Sequence, residues 1–388
     1  MNTLLLSVFL VFVMKKNIQK QKSMTNFNVG PSTVYPQLAD YLKDAYNEGV
    51  LSMPHRGAAF AEMMQNTVSL LKEKLNIPED YTILFASSAT ECWEIIAQSL
   101  TTQKSYHLFS GAFGEKWFKY TQKIHPLAEG FLVDCQTPIN ISTIQKTLTF
   151  AERRGGNLTM ADKELICLTQ NETSNGTQIL METLKEAKKL YPAQLLAIDA
   201  TSSMGGIAFE WQHADIWYGS VQKCFGLPAG LAIMVLSPRA IARAIEINEK
   251  IHYNSLLSMY ENMQKFQTTH TPNVLGIYLL MRVMQQVENI SIISETTKKR
   301  AKELYQLMNS FYEYNLLIKN EKMRSDTVIA IEATPLAIKN IKEKAQKANI
   351  LLGNGYDIWK ETTFRIANFP AISDKEVKLL EELFLEKK

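Results

Sequence analysis

The chain has 388 residues, of which 46% are hydrophobic and 10% aromatic, enough for two or three folding units with a sizeable core. Its 42 lysines and arginines nearly balance its 39 aspartates and glutamates, so the formal net charge is only +3. Such a balanced charge argues against a nucleic acid or an anionic membrane as partner and favours a small molecule.

Cysteine usage points the same way. The cysteines show no CxxC spacing and have no neighbouring histidines, which argues against a zinc site or a disulfide framework. A reducing, cytoplasmic compartment is therefore expected. The four residues are Cys92, Cys135, Cys167 and Cys224.

The N-terminus carries an apolar run, residues 4–13, followed by Lys15 and Lys16. The run is about half of the roughly 20 residues that cross a bilayer, and its lysines follow it instead of preceding it as in a signal peptide. Residues 1–23 are expected to be a disordered or spurious extension before a start at Met24. A weak membrane anchor and a targeting segment are the alternatives.

After residue 28, short apolar runs alternate with longer helical patterns, which is typical of an α/β fold. Runs this short and apolar suit strands buried on both faces of a mostly parallel sheet. The predicted strands are 82–85, 105–109, 130–134, 165–169, 195–199, 216–220 and 232–236. The predicted helices include 60–75, 91–99, 116–124 and 179–190.

Beyond about Pro272 the pattern changes to long helices and one weaker strand pair, 328–332 and 363–367. We expect a large domain over 24–272 and a smaller α+β domain over 273–388.

Ligands of open α/β sheets bind outside the carboxyl ends of the strands. The first predicted strand runs into Ser87, Ser88, Ala89 and Thr90 just before a helix. Free N–H groups at a helix N-terminus, with hydroxyls beside them, can cradle a phosphate, although serine and threonine are also the commonest N-caps.

Two charged residues follow later strands. Asp199 ends an apolar strand, where a carboxylate without a cationic partner would be costly, and Lys223 lies 24 residues later in a glycine-rich turn. A desolvated lysine has a lowered pKa and can react with an aldehyde. A carboxylate opposite a pyridinium nitrogen keeps that nitrogen protonated.

Six segments in order resemble fold-type I pyridoxal-phosphate enzymes of the class V aminotransferase group, most closely the phosphoserine aminotransferase family of serine biosynthesis. The resemblance covers residues 26–371. The segments are FNVGPSTVYPQL, MPHRGAAF, LNIPEDYTILFASSAT, DATSSMGG, GSVQKCFGLPAGL and THTPN.

The resemblance implies a large pyridoxal 5'-phosphate-binding domain in which Lys223 holds the cofactor and moves a proton. Asp199 would pair with the ring nitrogen, and Phe113, where the family has tryptophan, would stack on the ring. Thr173 would lie near the ring hydroxyl. The implied phosphate ligands are Ala89, Thr90 and Gln222, with His270 and Thr271 reaching the cofactor of the other subunit of a homodimer.

On the substrate side, a bidentate arginine best holds an α-carboxylate, and Arg365 matches the family's arginine. His55 and Arg56 would meet the distal phosphate or carboxylate. The family usually has a His-Arg pair shortly before that arginine, but this chain has GNGYDIWKETTFR, with Lys360 as a weaker substitute.

The sequence therefore predicts an aminotransferase acting on phosphoserine and 2-oxoglutarate. A class V aminotransferase for an unphosphorylated amino acid, of the alanine–glyoxylate or serine–glyoxylate type, stays open. So does a protein that binds the cofactor without turnover. A cysteine desulfurase is disfavoured, because no cysteine lies in a flexible loop near the C-terminal domain.

Overall fold

The computed structural model describes residues 24–102, 104–154 and 164–385. The expected extension, residues 1–23, lies outside these ranges. Within them, no helix has the length and apolar character needed to cross a membrane. The four cysteines are all described, and none forms a disulfide.

The largest sheet has seven strands. In spatial order they are Thr82–Ala86, Ala232–Leu236, Ile216–Ser220, Leu195–Asp199, Leu165–Thr169, Ser105–Phe109 and Glu129–Leu132. The last five pair in parallel, whereas Ala232–Leu236 is antiparallel to both of its neighbours. The predicted fold class, α/β with a mixed and mostly parallel sheet, is confirmed.

The predicted strand bounds hold best for the interior strands, which are buried along their whole length. The edge strand differs: it was expected over 130–134 and is found over Glu129–Leu132. Asp134 cannot extend it because its carboxylate accepts the N–H of Gln136 at 2.8 Å, a side-chain turn that competes with strand pairing.

Helices cover the large sheet and connect its strands. The first four are Leu38–Asn47, Ala58–Leu75, Ala89–Leu100 and Ala112–Ile124; the next four are Ile141–Arg154, Met181–Leu190, Pro238–Ile247 and Leu256–Met263. The helix expected over 116–124 begins at Ala112, because its first turn receives a carboxylate from elsewhere in the chain (Glu172, below). Ile179 does not join its helix, because Leu180 is extended (φ −70°, ψ 147°) and forms the N-cap before Met181.

The second sheet has five strands. In order they are Thr25–Phe27, Ile350–Asn354, Thr363–Ala367, Val328–Glu332 and Asn315–Leu316. The two predicted strands have the expected bounds and pair antiparallel. The remaining α-helices are Val274–Gln286, Ile290–Asn309, Pro335–Lys347 and Asp374–Leu385, of which the last three contribute to the core of this sheet.

The division at residues 272 and 273 stays a prediction, and two segments associate across it. Thr25–Phe27 pairs in parallel with the strand that begins at Ile350, so the start of the described chain joins the C-terminal sheet. Helix Val274–Gln286 contributes Ile277 and Leu280 to the core of the large sheet. The N-terminal strand thus leads directly from the second sheet to the carboxyl ends of the first.

Candidate active site

A cavity of about 470 Å³ lies at the carboxyl ends of the parallel strands. The segments after five strands of the large sheet converge there with segments of the second sheet. Eight of the twelve predicted site residues line it: Ala89, Thr90, Phe113, Thr173, Asp199, Gln222, Lys223 and Arg365.

Lys223 is only 7% exposed and projects from the turn after strand Ile216–Ser220. Its Nζ donates to Thr173 Oγ1 at 3.0 Å and to Ser202 Oγ at 2.8 Å. Burial lowers the pKa of Lys223 from 10.5 to about 8, against the opposing charge of Asp199. The lysine is therefore prepared to lose its proton near neutral pH, as a nucleophilic amine requires.

Gly30 packs against this lysine. Its φ is +137°, and a Cβ at this position would come within 2.9 Å of Lys223 Cε. Any larger residue at position 30 would displace the lysine stem, which explains why the segment from the second sheet passes the site at a glycine.

Asp199 closes the inner end of the cavity and is 4% exposed. The Thr201 N–H donates to its Oδ1 at 2.9 Å. Burial raises the pKa of Asp199, and the Thr201 hydrogen bonds and the charge of Lys223 oppose that rise. In the described part of the chain this carboxylate forms no salt bridge, so a cation at this depth would stabilise its ionised form.

The N-terminus of helix Ala89–Leu100 forms a wall of the cavity. Ser88 caps the helix by accepting the Glu91 N–H at 3.1 Å, and the Ala89 N–H donates to Ser220 Oγ at 2.9 Å. Both interpretations of this segment therefore apply: it is capped, and its first turn faces the cavity beside Gln222. Helix N-termini of this kind favour a bound anion.

Phe113 is held in place by a residue that the sequence analysis missed. Glu172 is buried and accepts the N–H groups of Phe113 and Gly114 at 3.2 and 3.1 Å, and that of Ser174 at 2.9 Å. Burial raises the pKa of Glu172, and these hydrogen bonds oppose the rise. The carboxylate thus fixes the first turn of helix Ala112–Ile124 and with it the Phe113 ring.

Arg365 is buried in strand Thr363–Ala367. Its Nε donates to the Asn354 carbonyl at 2.7 Å and its Nη1 to the Thr173 carbonyl at 2.7 Å. Burial lowers its pKa to about 10, although the negative charge of Glu172 acts to raise it. Both of these acceptors are neutral carbonyls, so the oriented guanidinium can still receive a carboxylate.

The other four predicted site residues lie outside the cavity of their own chain. Arg56 is exposed and donates to Gln267 Oε1 at 3.0 Å and Asn262 Oδ1 at 3.3 Å. His55 packs edge-on against Phe60. His270 packs edge-on against Tyr253 at a centroid distance of 5.4 Å, and Thr271 is exposed on the same segment.

Several further residues line the cavity without having been predicted. They are Val29, Gly30, Pro31, Ser88, Trp93, Lys116, Tyr120, Thr169, Asn171, Thr201, Ser220 and Tyr356. Lys116 could have been found from its position one helical turn after Phe113. Tyr356 lies in the loop that lacks the family's His-Arg pair, and that missing pair gives no indication of an aromatic site residue.

Comparison with known proteins agrees with this geometry. The family described as aminotransferase class-V matches residues 28–111 and 134–365, and the chain belongs to that family. The phosphoserine aminotransferase of Rhodococcus opacus is 28% identical over 370 residues, covering 91% of this chain and 92% of that protein.

Solved structures show the same relationship. A phosphoserine aminotransferase from Cytophaga hutchinsonii superposes with a TM-score of 0.85 at 29% identity, covering 95% of this chain and 99% of that one. An alanine–glyoxylate aminotransferase from Nostoc sp. superposes at 0.77 with 18% identity, covering 93% and 94%; this second likeness shows the fold alone.

The protein is therefore a pyridoxal-phosphate-dependent aminotransferase of class V, and its cavity fits that cofactor. The buried Asp199 lacks the cation that a pyridinium nitrogen would provide. Lys223 suits the aldehyde of the cofactor, and the first turn of helix Ala89–Leu100 suits its phosphate.

Proposed function

We propose that the protein transfers the amino group of phosphoserine to 2-oxoglutarate, as a step of serine biosynthesis. The observation that supports this most is the grouping of three cationic side chains, Lys223, Arg365 and Lys116, around one cavity. A substrate with a carboxylate and a second anionic group suits such a cavity. The names of two relatives that span nearly the whole chain favour phosphoserine.

Each residue would have a distinct role. The bound cofactor supplies an electron-withdrawing ring that stabilises negative charge at the substrate Cα. Asp199 would keep the ring nitrogen protonated, and Phe113 would pack against the ring face. Lys223 would hold the cofactor and then carry the proton that leaves Cα. Arg365 would hold the α-carboxylate and so orient the bond that breaks.

The cofactor assignment is tested with Lys223→Ala. The variant should lose the visible absorbance of the lysine-bound cofactor while staying folded by circular dichroism. Lys360→Ala, a change at an exposed lysine outside the cavity, serves as the matched control and should keep the band. A Lys223→Ala protein that retains the band would refute the assignment.

An unphosphorylated amino acid is the second candidate, and one observation favours it. The loop before Arg365 contains no histidine or arginine between Gly353 and Phe364, and Lys360 is exposed, beside Glu361. Lys360 therefore does not replace the missing pair within this chain. Steady-state kinetics with phosphoserine, serine and alanine separate the candidates, and higher kcat/KM for serine or alanine would favour the second.

Binding of the cofactor without turnover, the third possibility from the sequence, does not fit a member of the aminotransferase family. Arg365 argues against it, because a pure carrier has no need for a buried arginine oriented toward a substrate carboxylate. Mixing the holoenzyme with glutamate should convert the cofactor to its amine form, with the matching shift in absorbance. No spectral change with any amino acid would support the non-catalytic alternative.

We also propose that the protein works in the cytoplasm as a homodimer with shared active sites. The four predicted site residues outside the cavity lie near one another, since Arg56 bonds to Gln267, close to His270 and Thr271. Exposed apolar side chains accompany them, including Leu51 (57% exposed) and Ile251 (91% exposed). Such surfaces favour an interface, and a two-fold axis would bring one chain's cluster to the other's cavity.

Hybrid dimers test the sharing directly. If Arg56 serves the partner's cavity, a mixture of inactive Lys223→Ala and Arg56→Ala chains forms hybrids with one complete site, and activity returns. If each chain uses its own Arg56, every site in the hybrid lacks one residue and no activity returns. Analytical ultracentrifugation provides the control that hybrids form.

A further inference from the structure

The third cation that lines the cavity, Lys116, has no individual role in the reaction described above. Lys116 lies one turn after Phe113, and its ammonium is 5.5 Å from the Phe113 ring centroid and 4.8 Å from that of Tyr356. It donates a hydrogen bond to Tyr356 Oη. The Phe113 and Tyr356 rings stack at 5.1 Å, so the lysine is positioned against one stacked pair of aromatic side chains from distant parts of the sequence.

The charge of Lys116 is not used inside the protein. In the described ranges no carboxylate forms a salt bridge with Lys116, whereas Lys119, one turn along the same helix, pairs with Glu115 at 2.6 Å. A cation at a cavity wall without an acidic partner is available to an anionic ligand. The hydroxyl of Tyr356 accepts from Lys116, so its own proton is free to be donated to the same ligand.

The spacing of the cations suits a small substrate with two anionic groups. Arg365 Cζ is 5.6 Å from the Tyr356 ring centroid and Lys116 Nζ is 4.8 Å from it, so the two cations are at most 10.4 Å apart. A three- to five-carbon amino acid with a terminal anion can bridge such a gap, with its carboxylate at Arg365 and its other anion at Lys116.

We propose that Lys116, assisted by the Tyr356 hydroxyl, binds the distal anionic group of the substrate, a phosphate or a carboxylate. This inference rests on the proposed function, because it assigns the specificity of the same site. Lys116 would thereby take the place of the His-Arg pair that is absent before Arg365. It would contribute to substrate choice without taking part in proton transfer.

Three variants of the holoenzyme test the proposal: Lys116→Gln, the conservative Lys116→Arg, and Lys119→Gln as the matched control. We expect Lys116→Gln to lower kcat/KM for phosphoserine and glutamate about 10- to 100-fold, the range for one charge-assisted hydrogen bond. The kcat/KM for alanine, which has no distal anion, should be the same as in the wild type. Lys116→Arg should keep most of the activity, and Lys119→Gln all of it.

A binding measurement complements the kinetics. Inorganic phosphate should inhibit the holoenzyme competitively with the amino donor, and Lys116→Gln should raise its inhibition constant by a similar factor. The cofactor absorbance should stay unchanged in all three variants. The proposal would be overturned if Lys116→Gln lowered kcat/KM for alanine as strongly as for glutamate, or if it lowered neither.

The outcomes separate this inference from the proposed function. If the wild type uses glutamate but ignores phosphoserine, and Lys116→Gln impairs glutamate alone, Lys116 binds the distal anion while phosphoserine is the wrong substrate. If the wild type uses phosphoserine well and Lys116→Gln does not impair it, the proposed function holds and the inference fails. A wild type that prefers alanine to every anionic donor would refute both.

Discussion

The lowered pKa of Lys223 has a measurable kinetic consequence. A lysine with a pKa of 10.5 is neutral in about 0.03% of molecules at pH 7, whereas a pKa of about 8 raises this share to about 9%. Only the neutral amine attacks an aldehyde. The cofactor-free protein should therefore recapture pyridoxal phosphate about 300 times faster at pH 7 than a lysine of ordinary pKa would allow.

The rate should rise about tenfold per pH unit below pH 8 and level off above it. Stopped-flow absorbance, recorded while the cofactor-free protein is mixed with pyridoxal phosphate between pH 6 and 10, measures this profile. Asp199→Asn removes a charge that raises the pKa of Lys223, so its plateau should begin at a lower pH. A wild-type rate that keeps rising to pH 10 would refute the reasoning.

The remaining predictions concern stability and substrate binding. Since the folded pKa of Lys223 is lowered, its buried ammonium costs stability below pH 8, and that cost falls as pH rises towards 10.5. Without cofactor, Lys223→Met should have a higher free energy of unfolding in urea than the wild type. This difference should shrink by about 2 kcal/mol between pH 7 and 9.5. Glu172→Gln weakens a charged helix cap and should lower the unfolding free energy by about 1.5 to 3 kcal/mol, while Glu182→Gln, at an exposed site, should not; equal effects would contradict the assignment of a buried cap. Arg300→Met loses hydrogen bonds to three acceptors after strand Thr363–Ala367 and should cost about 2 to 4 kcal/mol by the same assay; a loss below 1 kcal/mol would show that the contacts are weak. Arg365→Lys should raise KM for every amino donor about 10- to 100-fold with an unchanged cofactor band, and an effect confined to anionic donors would contradict its role at the α-carboxylate.

The interior of the large sheet could be predicted from sequence because it is buried on both faces. There a short apolar run has few alternatives to a strand, and the strands that end at Thr169, Asp199 and Ser220 have the predicted bounds. Local patterns failed where a distant side chain decided the structure. Glu172 extends the helix that begins at Ala112, and the sequence of that helix does not indicate this contact.

The same distinction explains the site. Asp199 ends one strand and Lys223 lies in the turn after the next, so the rule for strand ends placed them in one cavity. The association of Lys116 with Tyr356 joins residues 240 positions apart, and neither segment alone indicates the contact. His55, Arg56, His270 and Thr271 lie outside the cavity of their own chain, and their predicted roles depend on a second copy.

The central claim, that the cavity binds a donor with two anionic groups, is tested most directly by one spectral titration. The holoenzyme is mixed with phosphoserine, glutamate, serine and alanine in turn, and the loss of the lysine-bound cofactor band is followed in single turnovers. We predict that phosphoserine and glutamate discharge the band fastest at subsaturating concentration. Faster discharge by serine or alanine than by either anionic donor would contradict the account.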